Sequence, residues 1–302
     1  MNDIITTQNL TKRFGSLVAV DNLSLAVPDG SIFAFLGPNG AGKTTTIKLL
    51  LNLVEPTGGS SEIFGVKSNR LGPTEFEQIG YVSENQKIYE WMTVKQLVAF
   101  CKPLYPAWDD AFCDRLIKQF ELPLDRTIGG FSRGMKIKAA FLVALAYRPR
   151  LLILDEPFTG LDPLVRDELI QGILELTTSE HWTVFISSHD IHEVEMLADT
   201  VGLLDKGKLV LNEPLDSLQA RFRKVTVTLS APLTSMPANL PPAWLQTEHE
   251  NRAITFIDSA YDEKSFGENI RRIFPDCANT ETAGMTLREI FVALAKSYKI
   301  EA

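Results

Sequence analysis

The chain has 302 residues, and at roughly 100 to 200 residues per domain this length predicts one large core with a smaller second domain. Hydrophobic residues make up 45% and charged residues 23% of the chain, a composition that excludes a mainly disordered or fibrous protein. The formal net charge of -8 gives no general attraction to DNA or RNA, so no nucleic-acid partner is expected.

Neither a secretory signal nor a membrane span is predicted. The first residues, MNDIITTQNLTKRFG, carry acid and amide groups where a signal needs a basic start and an apolar run. The longest apolar stretch, Ala139 to Tyr147, is far shorter than the ~18 apolar residues that cross a bilayer. We therefore expect a cytoplasmic protein without direct membrane insertion.

Short strands open the chain. Residues 4–10, 23–27 and 31–36 have strand character, and the last of these, SIFAFL, is apolar almost throughout, as in a strand buried on both faces. The segment GPNGAGKTTT follows, and IKLLLNLV then has the length and leucine content of a helix that ends before Pro56. The first unit is thus a strand, a glycine-rich loop and a helix.

The stretch from Leu71 to Pro149 is predicted to be helical, and strands and helices alternate after it. Such alternation predicts a parallel α/β sheet. The predicted helices of the first stretch are 94–100, 109–120 and 134–147; the later strands are 151–155 and 182–188, and the later helices are 163–177 and 191–198.

The pattern weakens after a hairpin at Lys206-Gly207, and we expect a domain boundary near residue 218. Beyond it, strand candidates alternate with helix candidates, which predicts a small α+β domain over 219–302. The strand candidates are 225–229 and 253–257, and the helix candidates are 263–274 and 287–298.

The glycine-rich segment fits the pattern G-x-x-x-x-G-K-[ST], whose backbone N–H groups turn towards phosphate oxygens at a helix N-terminus. Lys43 would hold the β- and γ-phosphates and Thr44 would reach Mg²⁺. A chance glycine turn is the alternative, but the match lies between a buried strand and a helix, as the mechanism requires. The candidate nucleotide-binding residues here are Gly37, Pro38, Asn39, Gly40, Ala41, Gly42, Lys43, Thr44 and Thr45.

Two adjacent carboxylates, Asp155 and Glu156, follow the apolar strand LLIL, and open α/β sheets bind ligands at the carboxyl ends of their strands. Asp155 can hold Mg²⁺ through water, and Glu156 can polarise an attacking water. Alternatively, the two acids only begin the next helix.

The segment Phe131-Ser132-Arg133-Gly134-Met135 opens a predicted helix upstream of these carboxylates. Here the chain resembles the nucleotide-binding subunits of ABC transporters, whose signature is usually Leu-Ser-Gly-Gly-Gln, and it keeps the serine as Ser132 and the second glycine as Gly134. In the family these groups bind the γ-phosphate held by the opposite subunit. A helix-capping role for Ser132 is the alternative.

The resemblance covers most of residues 4–215 and implies an α/β P-loop NTPase fold. In this fold an ABC cassette has a mixed sheet core, an antiparallel β subdomain and a helical subdomain, here at about 80–149. By the same resemblance, residues 1–218 form the ABC ATPase domain, and residues 219–302 form a small α+β accessory domain.

Further family positions match along the chain. Phe14 lies where the family stacks an aromatic ring on adenine, with a core phenylalanine as the alternative. Gly160-Leu161-Asp162 resembles the D-loop, and His189 resembles the switch histidine that contacts the γ-phosphate and holds the attacking water. Lys136 and Lys138, by contrast, are predicted to form only a solvated helix face.

One position departs from the family pattern. Glu84 stands where the family has the glutamine of the Q-loop, and Gln86 lies two residues further on. Glu84 can still be a ligand of Mg²⁺, but its charge near a polyphosphate raises the electrostatic cost of binding. The alternative is a surface acid in a mobile loop.

The resemblance implies an ATP-hydrolysing subunit of an ABC transporter, similar to bacterial exporter ATPases with separate permease chains. Two cassettes would close head to tail around two ATP molecules with Mg²⁺. The expected partners are transmembrane permease subunits and a second cassette, either identical or a paralogue, at the inner face of the cell membrane. The alternatives are a degenerate ATP-binding half of a heterodimer and a soluble ABC ATPase without a permease.

Overall fold

The fold is described by a computed structural model for residues 3–84, 86–237 and 239–300, and the chain divides into two units between Asn212 and Glu213. The first unit contains β1 (Asp3–Phe14), β2 (Leu17–Pro28), β3 (Ile32–Leu36), α1 (Lys43–Leu50), β4 (Gly58–Ile63), β5 (Val66–Lys67), α2 (Pro73–Phe76), β6 (Ile79–Ser83), α3 (Val94–Cys101), α4 (Asp110–Gln119), α5 (Arg133–Leu145), β7 (Leu151–Asp155), α6 (Pro163–Glu180), β8 (Thr183–Ser188), α7 (Ile191–Leu197), β9 (Thr200–Asp205) and most of β10 (Lys208–Pro214). The last two residues of β10 lie beyond the division.

A mainly parallel sheet with the strand order β10-β9-β3-β8-β7-β6 carries the first unit. Strands β3, β7 and β8 are buried along their whole length, which explains their nearly continuous apolar sequences. Leu36 lies opposite Ser188 and Asp155 opposite Ser187, so the segments that follow these three strands meet at one edge. The alternation of strands and helices therefore predicted the parallel sheet correctly.

An antiparallel sheet with the order β2-β1-β4-β5 packs in the same unit. Strands β1 and β2 form a long hairpin whose last pair is Phe14 with Leu17, joined through Gly15 at a φ of 58°. Side chains from this hairpin, from α1 and from the parallel sheet share one hydrophobic core, which includes Ile5, Phe35 and Ile47. The hairpin thus brings Phe14 close to the loop that follows β3.

Strand β6 lies in a stretch that was predicted to be helical. The stretch from Leu71 to Pro149 was expected to be helical, but residues 79–83 form the edge strand of the parallel sheet, paired with β7. A Cβ on Gly80 would lie 2.7 Å from the carbonyl oxygen of Ala144, so the glycine lets α5 approach this strand closely. The predicted helices α3, α4 and α5 do follow.

The solvated face predicted for α5 is wrong at Lys138. Its side chain is buried, and Nζ lies 2.6 Å from Oε2 of Glu168 on α6. Lys136, two residues earlier, is partly exposed, and its Nζ lies 2.5 Å from Oε1 of Glu90. The burial of Lys138 follows from the packing of α5 against α6, where a long apolar stem can be covered while the ammonium is paired.

The second unit has its own sheet and its own core. Its elements are α8 (Leu215–Arg221), β11 (Arg223–Leu229), β12 (Trp244–Glu250), β13 (Ala253–Asp258), α9 (Glu263–Ile273), β14 (Cys277–Gly284) and α10 (Leu287–Ile300). The antiparallel sheet has the order β12-β13-β11-β14, and Val225, Trp244 and Phe256 belong to its core. The α+β composition agrees with the expectation, although the sequence analysis predicted neither β12 nor β14.

Nothing in the described ranges has the length and apolar character of a membrane-crossing helix.

Candidate active site

The loop between β3 and α1 requires glycine at two positions. A Cβ on Gly37 would lie 2.3 Å from the carbonyl oxygen of Leu204, and a Cβ on Gly42 would lie 2.2 Å from that of Ala19. Gly42 also has a φ of 110°, a conformation that is strained for other residues. The loop therefore fits tightly under its neighbours, and α1 begins at Lys43 directly after it. The first N–H groups of such a helix have no partner within the helix and are available to phosphate oxygens.

Lys43 lies at the centre of the site and is buried. Its Nζ donates to the carbonyl oxygen of Gly37 at 2.6 Å and to that of Pro38 at 3.2 Å. It also forms an ion pair with Oε1 of Glu156 at 3.0 Å. The loop thus holds the ammonium group beside the carboxylate that follows β7.

Asp155 is engaged by two hydroxyl groups. The Oγ1 of Thr44 donates to its Oδ1 at 3.0 Å, and the Oγ of Ser187 donates to the same oxygen at 2.7 Å. Burial raises the pKa of Asp155, while these two hydrogen bonds act in the opposite direction. The arrangement groups the oxygen atoms of Thr44 and Asp155 at the N-terminus of α1.

Glu156 has a different environment from its neighbour. Its φ of 50° ends the strand geometry at this residue, and its N–H donates to the Oγ of Ser187 at 3.0 Å. Its Oε2 contacts the Nδ1 of His189 at 2.6 Å and accepts from the Oγ1 of Thr159 at 3.1 Å. Burial acts to raise the pKa of Glu156, but His189 and Lys43 outweigh this effect and lower the pKa. The carboxylate is therefore kept ionised.

A cavity of about 490 Å³ opens beside these groups. Phe14 is 50% exposed and forms part of its wall, together with Leu17 from the other side of the hairpin. The Nζ of Lys12 lies 4.9 Å from the centre of the Phe14 ring. A half-exposed ring in the wall of this cavity does not fit the alternative of a core phenylalanine. The cavity is lined by Phe14, Leu17, Val18, Ala19, Asn39, Gly40, Gly42, Lys43, Thr44, Thr45, Glu84, Glu156 and Lys206.

Ser132 and Gly134 lie at the start of α5 and are not among these lining residues. The Oγ of Ser132 accepts from the N–H of Met135 at 3.2 Å, so the serine caps the helix. A Cβ on Gly134 would lie 3.0 Å from Cγ1 of Val165, which explains the close approach of α5 to α6. The capping role named as an alternative is therefore present, and it leaves the exposed Ser132 side available to another molecule.

Glu84 follows β6 and reaches the cavity beside α1. Its N–H donates to the carbonyl oxygen of Asp155 at 2.8 Å, and its side chain lines the cavity. Its Oε1 lies 3.6 Å from Nη2 of Arg133. Gln86 instead turns back, and its Oε1 accepts from the N–H and the Oγ of Ser83, each at 3.2 Å.

Several residues of this site were not singled out from the sequence. Ser187 joins Asp155 to the backbone of Glu156, Thr159 bonds to Glu156, and Lys206 lines the cavity. The only sequence signal for Ser187 is its place in the strand end Ser187-Ser188-His189. Thr159 and Lys206 carry no motif of their own, because chain folding alone brings them here.

The tight glycine loop on a helix N-terminus, with a buried lysine and two carboxylates at the adjacent strand end, defines a P-loop nucleotide-binding protein. Comparison with known proteins identifies the family within this class. A protein-family model described as "ABC transporter" matches residues 20–159.

Relatives and solved structures agree with this match. The bacitracin transport ATP-binding protein BcrA of Bacillus licheniformis is 39% identical over 226 residues, which cover 74% of each chain. The lantibiotic transport ATP-binding protein SrtF of Streptococcus pyogenes is 35% identical over 214 residues, which cover 70% of this chain and 92% of SrtF. A solved ATP-binding subunit of an ABC transporter matches with a TM-score of 0.65 and 28% identity, over 72% of this chain and 92% of that chain. The chain therefore belongs to the ABC transporter family, as an ATP-binding subunit that hydrolyses ATP to power transport.

Proposed function

We propose that the cavity beside α1 binds ATP with Mg²⁺ and that Glu156 activates the water that attacks the γ-phosphate. The observation that carries this proposal is that two adjacent carboxylates have different partners. Asp155 accepts hydrogen bonds from Thr44 and Ser187, whereas Glu156 is engaged by Lys43 and His189. One carboxylate is thus suited to a metal ion and the other to a proton.

The donor set of Thr44 and Asp155 suits Mg²⁺. Magnesium prefers oxygen ligands and is usually held by one or two protein groups, with waters and phosphate oxygens as the rest. The Thr44 hydroxyl and the Asp155 carboxylate already lie within 3.0 Å of each other. Bound there, Mg²⁺ would neutralise charge on the phosphate oxygens, and Glu84 is a further candidate ligand from the same cavity wall.

The remaining roles follow from the geometry of the chain's own groups. The Gly37–Thr45 segment would hold the phosphates through its backbone N–H groups, and Lys43 would neutralise the β- and γ-phosphates. Phe14 would stack on adenine. Glu156 would accept a proton from water, and His189, at 2.6 Å from it, would orient that carboxylate and contact the γ-phosphate.

The test compares Glu156→Gln with the wild-type chain. Loss of the proton acceptor should lower MgATP turnover by about 10²- to 10⁴-fold, since this is the usual contribution of a general base. Equilibrium binding of ATP should persist, because glutamine keeps the shape of the side chain. Lys43→Ala serves as the contrasting variant and should weaken ATP binding itself. Turnover by Glu156→Gln at the wild-type rate would contradict the assignment of Glu156.

Permease subunits are the proposed membrane partners, and an apolar groove in the first unit suits their docking. The groove has a volume of about 520 Å³ and is lined by residues just after α1 and by residues of α2, β6, α3 and α5. Leu53, Phe76 and Leu104 on its rim are exposed apolar side chains, and exposed apolar patches of this kind mark sites of protein interaction. Trp91 in the same unit is also an exposed aromatic side chain, at 68%.

We further propose a head-to-tail pair of cassettes, in which Ser132 and Gly134 complete the ATP site of a second cassette, either the same chain or a paralogue. The exposed capping serine at a helix N-terminus suits a phosphate from another molecule. Mixing Ser132→Arg with Lys43→Ala chains should then restore at most one working site per dimer. Activity equal to that of the wild-type chain would rule out the shared site.

The named roles of the relatives favour an exporter. BcrA and SrtF are named for bacitracin and lantibiotic transport, and this chain would similarly energise export through permeases that select the substrate. Its location would be cytoplasmic, at the inner face of the cell membrane through the permease. ATPase activity that rises when the chain is reconstituted with its co-purifying permease would support this assignment, and no change would oppose it.

A further inference from the structure

The two positions at which this chain departs from the family's pattern contact each other. Glu84 replaces the usual glutamine after β6, and Arg133 stands between Ser132 and Gly134 where the family signature has glycine. The Nη2 of Arg133 lies 3.6 Å from the Oε1 of Glu84. An acid and a base thus occupy two positions that are uncharged in the usual pattern.

Glu84 adds a negative charge to a cavity that already contains the Glu156 carboxylate. Its side chain lines the cavity with Thr44 and Glu156, and its N–H is tied to the carbonyl oxygen of Asp155 at 2.8 Å. Lys43 is engaged by Glu156 at 3.0 Å. Because like charges at short range repel, the Glu84 carboxylate disfavours a polyphosphate in the cavity unless a cation neutralises it.

The Arg133 side chain is in a position to neutralise the Glu84 carboxylate. A Cβ on Gly160 would lie 3.2 Å from the Cζ of Arg133, so the guanidinium lies over the bare backbone of that glycine. Pro157 and Leu161 from the same loop line a cavity with Glu84 and Arg133. A cation in the first turn of α5 is disfavoured by the helix dipole, and an adjacent carboxylate offsets that effect. The guanidinium is therefore held between the Glu84 loop and the loop after β7.

We propose that Arg133 is a positioning residue for nucleotide binding in its own chain, because it neutralises Glu84 beside the phosphates. This inference rests on the proposed nucleotide site. Arg133 belongs to the signature segment, but its proposed electrostatic role is within its own chain. The proposed role of Ser132 and Gly134 is instead towards a second cassette. Arg133 acts through Glu84 and need not touch the nucleotide.

The test is a double-mutant cycle read by equilibrium binding of ATP in EDTA at low salt, so that neither turnover nor Mg²⁺ ligation enters. Arg133→Gln exposes the Glu84 charge and should raise the Kd for ATP by about two- to five-fold, the range expected for a partly exposed ion pair. Glu84→Gln leaves Arg133 unbalanced and should lower the Kd. The double variant Glu84→Gln/Arg133→Gln should return to the wild-type Kd, and high salt should reduce all differences.

Lys136→Gln is the matched control. Lys136 lies on the same helix and lines the same small cavity, but it pairs with Glu90. Its substitution removes an equal charge and should leave the Kd for ATP within about two-fold of the wild type.

The outcomes distinguish a failure of the Arg133 role from a failure of the nucleotide site. If the double variant binds ATP as weakly as Arg133→Gln, Arg133 acts through packing and the inference is wrong; equal Kd values for all variants would also overturn it. If the wild-type chain binds no ATP, or Lys43→Ala binds it equally well, the proposed nucleotide site fails and the inference falls with it.

Discussion

Glu156 receives three side-chain contacts, from Lys43, His189 and Thr159, and they make its charge part of the stability of the fold. Its pKa is lowered from the usual 4.5 in spite of burial. A group whose pKa is lower in the folded protein stabilises the fold above its unfolded pKa, and this contribution is lost as the pH falls through the lowered value.

The free energy of unfolding of the wild-type chain should therefore fall more steeply than that of Glu156→Gln as the pH drops below about 4.5. Urea denaturation at a series of pH values from about 6 to about 3 measures both curves. Parallel curves would mean that Glu156 has the same proton affinity in the folded and unfolded chain.

Lys43 and Glu156 form a buried ion pair, so removal of one partner leaves the other charge without this counter-ion. Lys43→Met should lower the free energy of unfolding by about 3 kcal/mol, and adding Glu156→Gln should restore part of that loss. Lys102→Met is the control: its pair with Asp110 is exposed and should change stability by less than about 1 kcal/mol. Denaturant titration of the variants measures these values, and equal losses at Lys43 and Lys102 would contradict the buried-pair argument.

Residues that belong to contiguous motifs could be predicted, and residues that meet through packing could not. Lys43, Asp155 and His189 each lie in a short segment with a recognisable order, and the structure brings these segments to one edge of the sheet. The contacts of Glu84 with Arg133 and of Lys138 with Glu168 join separate elements. No local pattern encodes such a pair, because it depends on how the elements approach each other.

Strand β6 depends on a glycine that admits a neighbouring helix. Gly80→Ala would bring a Cβ within 2.7 Å of the carbonyl oxygen of Ala144, and overpacking of this kind should destabilise the fold by about 1–3 kcal/mol. Gly172→Ala in α6 is the opposite case, because the nearest atom to its new Cβ is 3.8 Å away. It should stabilise the helix by about 0.5–1 kcal/mol. Chemical denaturation of both variants tests the pair, and shifts of the same sign would contradict it.

Apart from the short helix α8, the elements that the sequence analysis missed are mostly strands without a strong apolar pattern. Strand β6 is short and contains glycine and serine, and β14 (CANTETAG) is mostly exposed. Strand β14 exists because it pairs with β11 along nearly its whole length, and β6 because it pairs with β7. Pairing with a partner strand, rather than an apolar periodicity of their own, makes these segments strands. Strands β3 and β7, by contrast, can be predicted from their continuous apolar sequences.

At the scale of the whole molecule, the two units contain separate hydrophobic cores. The residues named above for the candidate nucleotide site all lie in the first unit. The assignment of 1–218 as an ATPase domain and 219–302 as an accessory domain stays a prediction, and the chain's division at Asn212 and Glu213 offers a way to test it.

Calorimetry of the full chain should resolve two unfolding transitions, of which ATP raises only one. At an ATP concentration about 100 times the Kd, the bound unit gains about 2.7 kcal/mol. The shift should disappear in Lys43→Ala. A single transition that moves as a whole would indicate that the two units unfold together.

The contact between Lys43 and Glu156 has a consequence for the timing of the reaction under the proposed roles. While the ammonium group lies 3.0 Å from the carboxylate, the carboxylate is a weak base. A triphosphate that draws the ammonium towards its own oxygens would raise the proton affinity of Glu156 at the same moment. The strength of the base would then depend on the arrival of the substrate, and water would be activated only when there is a phosphate to attack.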